Sequence, residues 1–196
     1  MLEKLPESLG HALRSRRAGL QNVLFNKPCV SGAIARLELS SPAFADQGPI
    51  STLFTADGEG ISPPLQWRNV PVTATTLVLI VEDADSPTPE PLVHAIAVDI
   101  DPTGDGLVAG ELNEAYGGAL RLGRNSYLKR SWLPPDPPPG HGVHHYAFQL
   151  FALSDGRAFS ESPGRKELAG AIRERTVSSG CLIGTYERTG KVESPH

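Results

Sequence analysis

The run Leu77-Val78-Leu79-Ile80-Val81 is apolar at every position and rich in β-branched residues. A strand that shows water one face alternates apolar and polar residues, so an unbroken run of this length predicts a strand covered on both faces. Other segments carry the period of two. Ala35-Arg36-Leu37-Glu38-Leu39 alternates apolar and charged residues, as on a half-buried strand. Leu92–Ile100 places His94, Ile96, Val98 and Ile100 on one face, and His144–Leu153 does the same for His144, Tyr146, Phe148 and Leu150. Cys181–Tyr186, after Gly180, is a last strand candidate.

The connections between these runs are rich in proline and glycine, notably 101–118 and 132–142. With 20 Gly and 18 Pro the chain needs many turns, yet stays below the level of low-complexity disorder. Helical spacing occurs at the two ends. Leu5, Leu9 and Leu13 recur every four residues, which predicts a helix over Ser8–Gln21 whose polar side, with Arg14, Arg16 and Arg17, is solvated. Ser162-Pro163 reads as an N-cap and first helical position, followed by a stripe through Leu168, Ala171, Ile172 and Arg175. The expected organisation is a helical arm at 1–35, one domain at 36–190 and a short tail at 191–196. The domain is all-β dominated, with peripheral helices and a core that includes Trp67, Val78, Ile80, Phe148 and Leu150. The leucine stripe predicts packing on the sandwich or on a second copy, a homodimer.

Bulk properties exclude several functions. With 22 acidic against 18 basic residues there is no surplus of positive charge for nucleic acid. No stretch reaches the roughly 18 apolar residues of a membrane span. The first residues lack a secretion signal, so a cytoplasmic protein is expected. The two cysteines, Cys29 and Cys181, lack metal-ligand spacing and read as reduced thiols.

Chemistry concentrates in two places. Glu82-Asp83-Ala84-Asp85-Ser86-Pro87 follows the apolar run, with His94 soon after, and Gly140-His141-Gly142-Val143-His144-His145-Tyr146 opens the later strand. Extended spacing points Asp83 and Asp85 to one side, where they can meet His94, His144 and Tyr146. Each of these residues alone has an ordinary structural reading: Asp favours turns, and a histidine on an apolar face is more often a satisfied core residue. His141, in a Pro/Gly loop, is expected to be exposed. Ser86-Pro87 is a candidate cis bond in a tight turn.

Together with Ile61-Ser62-Pro63-Pro64-Leu65-Gln66-Trp67 and Leu182-Ile183-Gly184-Thr185-Tyr186-Glu187-Arg188, these stretches resemble the phosphatidylethanolamine-binding protein family, closest to its bacterial Raf-kinase-inhibitor-like branch. The resemblance spans Leu37 to Arg188. It implies a Greek-key β-sandwich with a small anion pocket formed by Asp83, Asp85, His94, His144 and Tyr146; Pro87, which fixes the turn after the aspartates, and Gly140, whose loop offers backbone N–H groups, complete the candidate site. It further implies a small anionic or phosphorylated ligand such as a phospholipid head group, with no cofactor. The chain departs from the family pattern at Ala84, at Pro91-Leu92-Val93, at His145 and at Asp136, a third carboxylate near the pocket.

Three functions follow as expectations. The first is a binding protein without turnover, since no nucleophile sits in an elbow motif. The second is a metal-dependent hydrolase using Asp85, His94, His141 and His144. The third is a regulator of a protein partner such as a kinase, as in eukaryotic relatives. In the first, carboxylates keep neighbouring imidazoles charged, so that a cationic N–H faces the anion.

Overall fold

The computed structural model describes residues 7–27, 35–113 and 120–188. Among these residues ten strands run in chain order: β1 (Ala35–Arg36), β2 (Glu38–Ser40), β3 (Gly48–Pro49), β4 (Leu65–Arg68), β5 (Thr76–Asp83), β6 (Leu92–Ile100), β7 (Gly106–Leu107), β8 (Arg121–Leu122), β9 (His144–Leu153) and β10 (Thr176–Tyr186). Two α-helices, α1 (Glu7–Leu13) and α2 (Arg165–Arg175), lie at the periphery. The larger sheet has the order β1-β10-β9-β5-β6-β8, with β3 also on β10, and the smaller is β2-β4-β7. Pairing among β5, β6, β9 and β10 is antiparallel, while β1 and β3 join β10 in parallel.

The expected β-sandwich with peripheral helices is the observed fold, and β5 explains its own sequence. One face carries Leu77, Leu79 and Val81 into the core between the sheets, with Trp67, Phe148 and Leu150. The opposite face carries Val78 and Ile80 into a second core with Phe151, Leu168 of α2 and Leu24. All five expected core residues are buried, in two cores on opposite faces of the large sheet. The segment expected as one strand at 35–39 splits at Leu37, where the chain crosses from β1 in the large sheet to β2 in the small one.

Three local expectations fail for physical reasons. On β6 the register slips by a residue opposite Val81/Glu82, and again opposite Leu77/Leu79 beside Asp99 at φ 56°. These bulges reset the alternation: Ile96 and Val98 face α2, whereas Ala95 and Ile100 face the inter-sheet core. His94 therefore does not share a face with Ile96. The first helix stops at Leu13, well short of Gln21. The chain beyond it bonds instead to the turn that follows β5, through Ala18 N to Ser86 O (3.0 Å) and Gly19 N to Ala84 O (2.6 Å). The second helix begins at Arg165 with Gly164 at its cap, not Ser162, and Ser160 bonds Glu167 in its first turn.

The arm is tied into the sandwich. Val23 and Leu24 are buried. The buried Glu82 carboxylate accepts from Leu24 N (2.8 Å), Gln149 Nε2 (2.9 Å) and Arg165 Nε (2.6 Å), tying arm, sheet and α2 together. Of the leucine stripe, Leu5 lies outside the described residues, and Leu9 is exposed. Cys29 also lies outside them, and Cys181 is a free thiol whose pKa burial pushes up to about 12. Among the described residues no helix is long and apolar enough to cross a membrane.

Candidate functional site

At one end of the large sheet, β5, β6 and β9 are joined by the proline-rich loop before β9. A partly open cavity of about 220 Å³ lies there, walled by Asp83, Pro87, His94, Leu133, Asp136 and His144 among others. Four of the seven sequence candidates, Asp83, Pro87, His94 and His144, thus share one cavity. The Ser86–Pro87 bond is trans, since no described peptide is cis.

Two aspartates two residues apart do not point the same way. The strand ends at Asp83, and the Asp83 Oδ1 oxygen accepts from the Asp85 backbone N–H (2.8 Å), turning the chain. Asp83 meets His144, with Oδ2 2.8 Å from Nδ1. Asp85 instead meets His145, accepting from its backbone N–H (2.7 Å) and facing its Nδ1 (2.6 Å). Because consecutive residues of β9 face opposite sides, the two carboxylate–imidazole pairs lie back to back.

On the cavity side the bonds run on. His144 Nε2 is 2.6 Å from His141 Nδ1, and His141 Nε2 is 2.9 Å from the Leu13 carbonyl oxygen. The carbonyl can only accept, so His141 Nε2 carries a proton. The three contacts thus form one continuous chain from the Asp83 carboxylate through both rings to the Leu13 carbonyl. His141, expected to be exposed, is wholly buried because this chain captures it. Both nitrogens of His144 are engaged, so it presents no free N–H to the cavity, contrary to the expected donor role.

His94 is the open group. Its Nδ1 is 2.6 Å from the Leu133 carbonyl, so Nδ1 holds the proton of the neutral ring and Nε2 is left with a lone pair. That Nε2 is buried without a hydrogen-bond partner, as are Tyr146 Oη and Trp132 Nε1. Burial pushes the His94 pKa down, with the nearby Asp83 charge opposing part of the shift. Tyr146 is edge-on to His94 at 5.1 Å between ring centres. Burial and the neighbouring Asp83 charge raise its pKa, so its hydroxyl stays protonated.

Asp136 does face the cavity, but it is not a free charge. Arg188 Nη1 lies 2.6 Å from its carboxylate, and the same guanidinium pairs with Asp57 at 2.8 Å. The metal-ligand set is not assembled, since Asp85 turns to the other side and His141 bonds His144. Among the described residues no group of three or more His, Cys, Asp or Glu side chains is arranged to hold a metal ion.

Gly140 contributes backbone geometry, at φ 77°, rather than a cavity wall. Residues missed by sequence reasoning include Leu133, whose carbonyl fixes the His94 tautomer, and Arg188, which pairs with Asp136 at the cavity. The largest omission is Arg17, read as a solvated charge: its Nη1 is 2.6 Å from Asp85 Oδ1. Nothing in a local pattern pairs residues so far apart in sequence.

The sequence matches the family described as phosphatidylethanolamine-binding protein over residues 40–187. A UPF0098 protein of Pyrococcus horikoshii is 32% identical over 171 residues, covering 85% of this chain and 85% of that protein. A UPF0098 protein of Mycobacterium bovis is 38% identical over 151 residues, covering 77% of this chain and 70% of that protein. A solved structure from Chlamydia trachomatis, described as a homologue of phosphatidylethanolamine-binding protein, has TM-score 0.71 and 31% identity, covering 78% of this chain and 98% of that one. Escherichia coli YbcL has TM-score 0.72 at 21% identity, a likeness of fold, covering 79% of this chain and 100% of that one. With the family match filling most of the chain and relatives of this closeness, the chain belongs to the phosphatidylethanolamine-binding protein family.

Proposed function

We propose that the cavity binds the head of a small anionic ligand, of phosphate type, and that the protein works by binding without turnover. The observation that carries this reading is His94 Nε2, a buried nitrogen on the cavity wall with no partner. An unsatisfied buried polar atom is costly and suggests a missing ligand. The Leu133 carbonyl holds the other nitrogen as N–H, so a proton taken up with an anion goes to Nε2 and creates a donor where the anion sits. Tyr146, kept protonated by its burial, is a second donor close to that ring. Asp136 is already paired with Arg188, which removes much of its repulsion toward an anion.

The test is a calorimetric titration with sulfate, which stays fully charged while phosphate does not. Affinity is expected to rise as pH falls from about 8 to 5.5, by up to about tenfold per unit where one proton is taken up per anion. His94→Leu should remove both the binding and its pH dependence. Phosphate and phosphorylethanolamine, titrated alongside, separate a bare anion from a head group. A flat sulfate response, or one indifferent to His94→Leu, would discard the reading. Near-stoichiometric zinc or iron in the purified protein would favour a metal-dependent hydrolase instead.

A further inference from the structure

Arg17 makes contacts of a kind that a recognition site makes. Its Nη1 sits 2.6 Å from Asp85 Oδ1 and donates to the Val143 carbonyl at 2.8 Å. Its Nη2 donates to the His141 carbonyl at 3.0 Å, and its Nε to Arg14 O at 3.3 Å. A carboxylate and two carbonyls converging on one planar fork suit a guanidinium better than a compact ammonium. The loop is shaped for this. Gly140 and Gly142, at φ 77° and 94°, flank His141 and turn the carbonyls of His141 and Val143 toward the same cation.

The receptor is pre-built on the domain. Asp85 Oδ2 is held by the backbone and ring of His145, which leaves Oδ1 for the cation. Burial pushes the Asp85 carboxyl up, but hydrogen bonds from Arg17 and His145 outweigh it and hold the group below its ordinary value. The site also opens to solvent, because the Arg17 side chain remains 30% exposed.

The arm carries this occupant on its looser half. Residues 18–26 are fixed by Glu82 to Leu24 N, Gln149 to Phe25 N and Arg165 to Asn22 O, besides the backbone bonds of Ala18 and Gly19. Residues 8–17 are exposed at most positions, and their contacts include the Arg17 fork, the Leu13 carbonyl and a close approach of Gly10 to Pro139, where a Cβ would come within 1.9 Å of the Pro139 carbonyl oxygen. The first half can therefore lift while the second stays seated.

We propose that Asp85, with the carbonyls of His141 and Val143, forms a guanidinium-binding site on the opposite side of the sheet end from the cavity. The arm's Arg17 fills it in cis, and an arginine side chain of another polypeptide takes it when residues 7–17 lift. Occupancy reaches the cavity wall through His141, which gives its carbonyl to Arg17 and its ring to His144. The guanidinium is held by groups on the Asp85 side alone and needs no anion in the cavity, so either reading can fail alone.

The test uses the full-length chain with Arg17→Ala and ethylguanidinium chloride as the probe. N-ethylurea serves as the uncharged analogue and sodium chloride matches the ionic strength. The reporter is the His145 backbone amide resonance, since that N–H donates to Asp85. In Arg17→Ala the probe should shift this resonance saturably and raise the melting temperature, with an apparent affinity at least about tenfold higher than in the wild type, where Arg17 competes. Adding Asp85→Asn to Arg17→Ala should abolish the response. Arg17→Gln, which keeps an amide tip in the niche, is the second variant if the alanine chain folds poorly. If both variants fold poorly, the wild-type Arg17 Nε–H resonance should change saturably as the probe displaces it. No saturable response, an equal response to N-ethylurea, or equal affinity in the wild type would overturn the proposal and leave Arg17 as a structural ion pair.

Discussion

Asp83–His144 and Asp85–His145 use the same two residue types on the same two strand ends, yet they live in different chemical worlds. The His144 side chain is 1% exposed, and its second nitrogen runs on into a buried imidazole. The His145 side chain is 32% exposed, and its carboxylate partner is shared with an arginine that reaches solvent. What separates them is the alternation of β9, which sends neighbouring residues to opposite sides, together with the turn that Asp83 makes by capping Asp85. A polar motif that reads as one constellation thus supplies two separate devices. One is walled off and committed to internal bonds; the other is open to exchange.

The largest expected contrast tests the packing behind each device. Phe148 lies in the inter-sheet core, stacked on Trp132 at 6.1 Å and tilted against Phe44 at 5.3 Å. Phe148→Ala should cost about 3–5 kcal/mol in urea unfolding. Leu9, on the arm and 40% exposed, should cost no more than about 0.5 kcal/mol as Leu9→Ala. A loss near 1 kcal/mol at Phe148 would show that the cavity end is not built on a close-packed floor.

The pairs themselves come next. Asp83→Asn replaces the carboxylate that bonds the buried His144 ring and should cost about 1.5–3 kcal/mol, the range for hydrogen bonds to charged groups. Asp85→Asn touches partners that are each about a third exposed, and solvent should hold its cost to about 1 kcal/mol or less. Urea midpoints at neutral pH order the two. A larger loss at Asp85 would reverse the assignment and make the arm-facing pair the structural one.

The contrast also shows which features a linear reading can reach. The buried strand, the His144–Leu153 face and the polar clusters at strand ends were legible because they depend on periodicity over a few residues. The face of His94 was not, because a single-residue bulge in β6 cancels the period that placed it. Asp83 and Asp85 were read as one site because strand geometry was extended past the point where the chain turns. His141 and Arg17 looked solvated because their partners, Leu13 and Asp85, lie far away in sequence and meet them only through the fold. The strand from Cys181 was underestimated for a related reason. Val177-Ser178-Ser179-Gly180 has a loop-like composition, and only its place between β9 and β1 makes it sheet.

Acid titration gives the smallest and finest separation of the two sides. Burial depresses the pKa of His94 and of His141, both on the cavity side, against an ordinary value of 6.5. The unfolded chain then binds these protons more readily than the folded one. Stability from these groups is full above pH 6.5 and declines as pH falls below it, at no more than about 1.4 kcal/mol per unit for each group. On the arm side the depressed group is Asp85, whose ordinary value is 3.8, so its contribution persists until pH falls below that value. Wild-type urea midpoints should therefore start to fall between pH 6.5 and 5, and His94→Leu should make that fall shallower. Asp85→Asn should leave the same segment unchanged and flatten the curve only in the acid below 3.8. A midpoint that first moves near pH 4 would assign the acid sensitivity to carboxylates alone, and would mean that His94 is solvated in solution and can hold its charge without an anion.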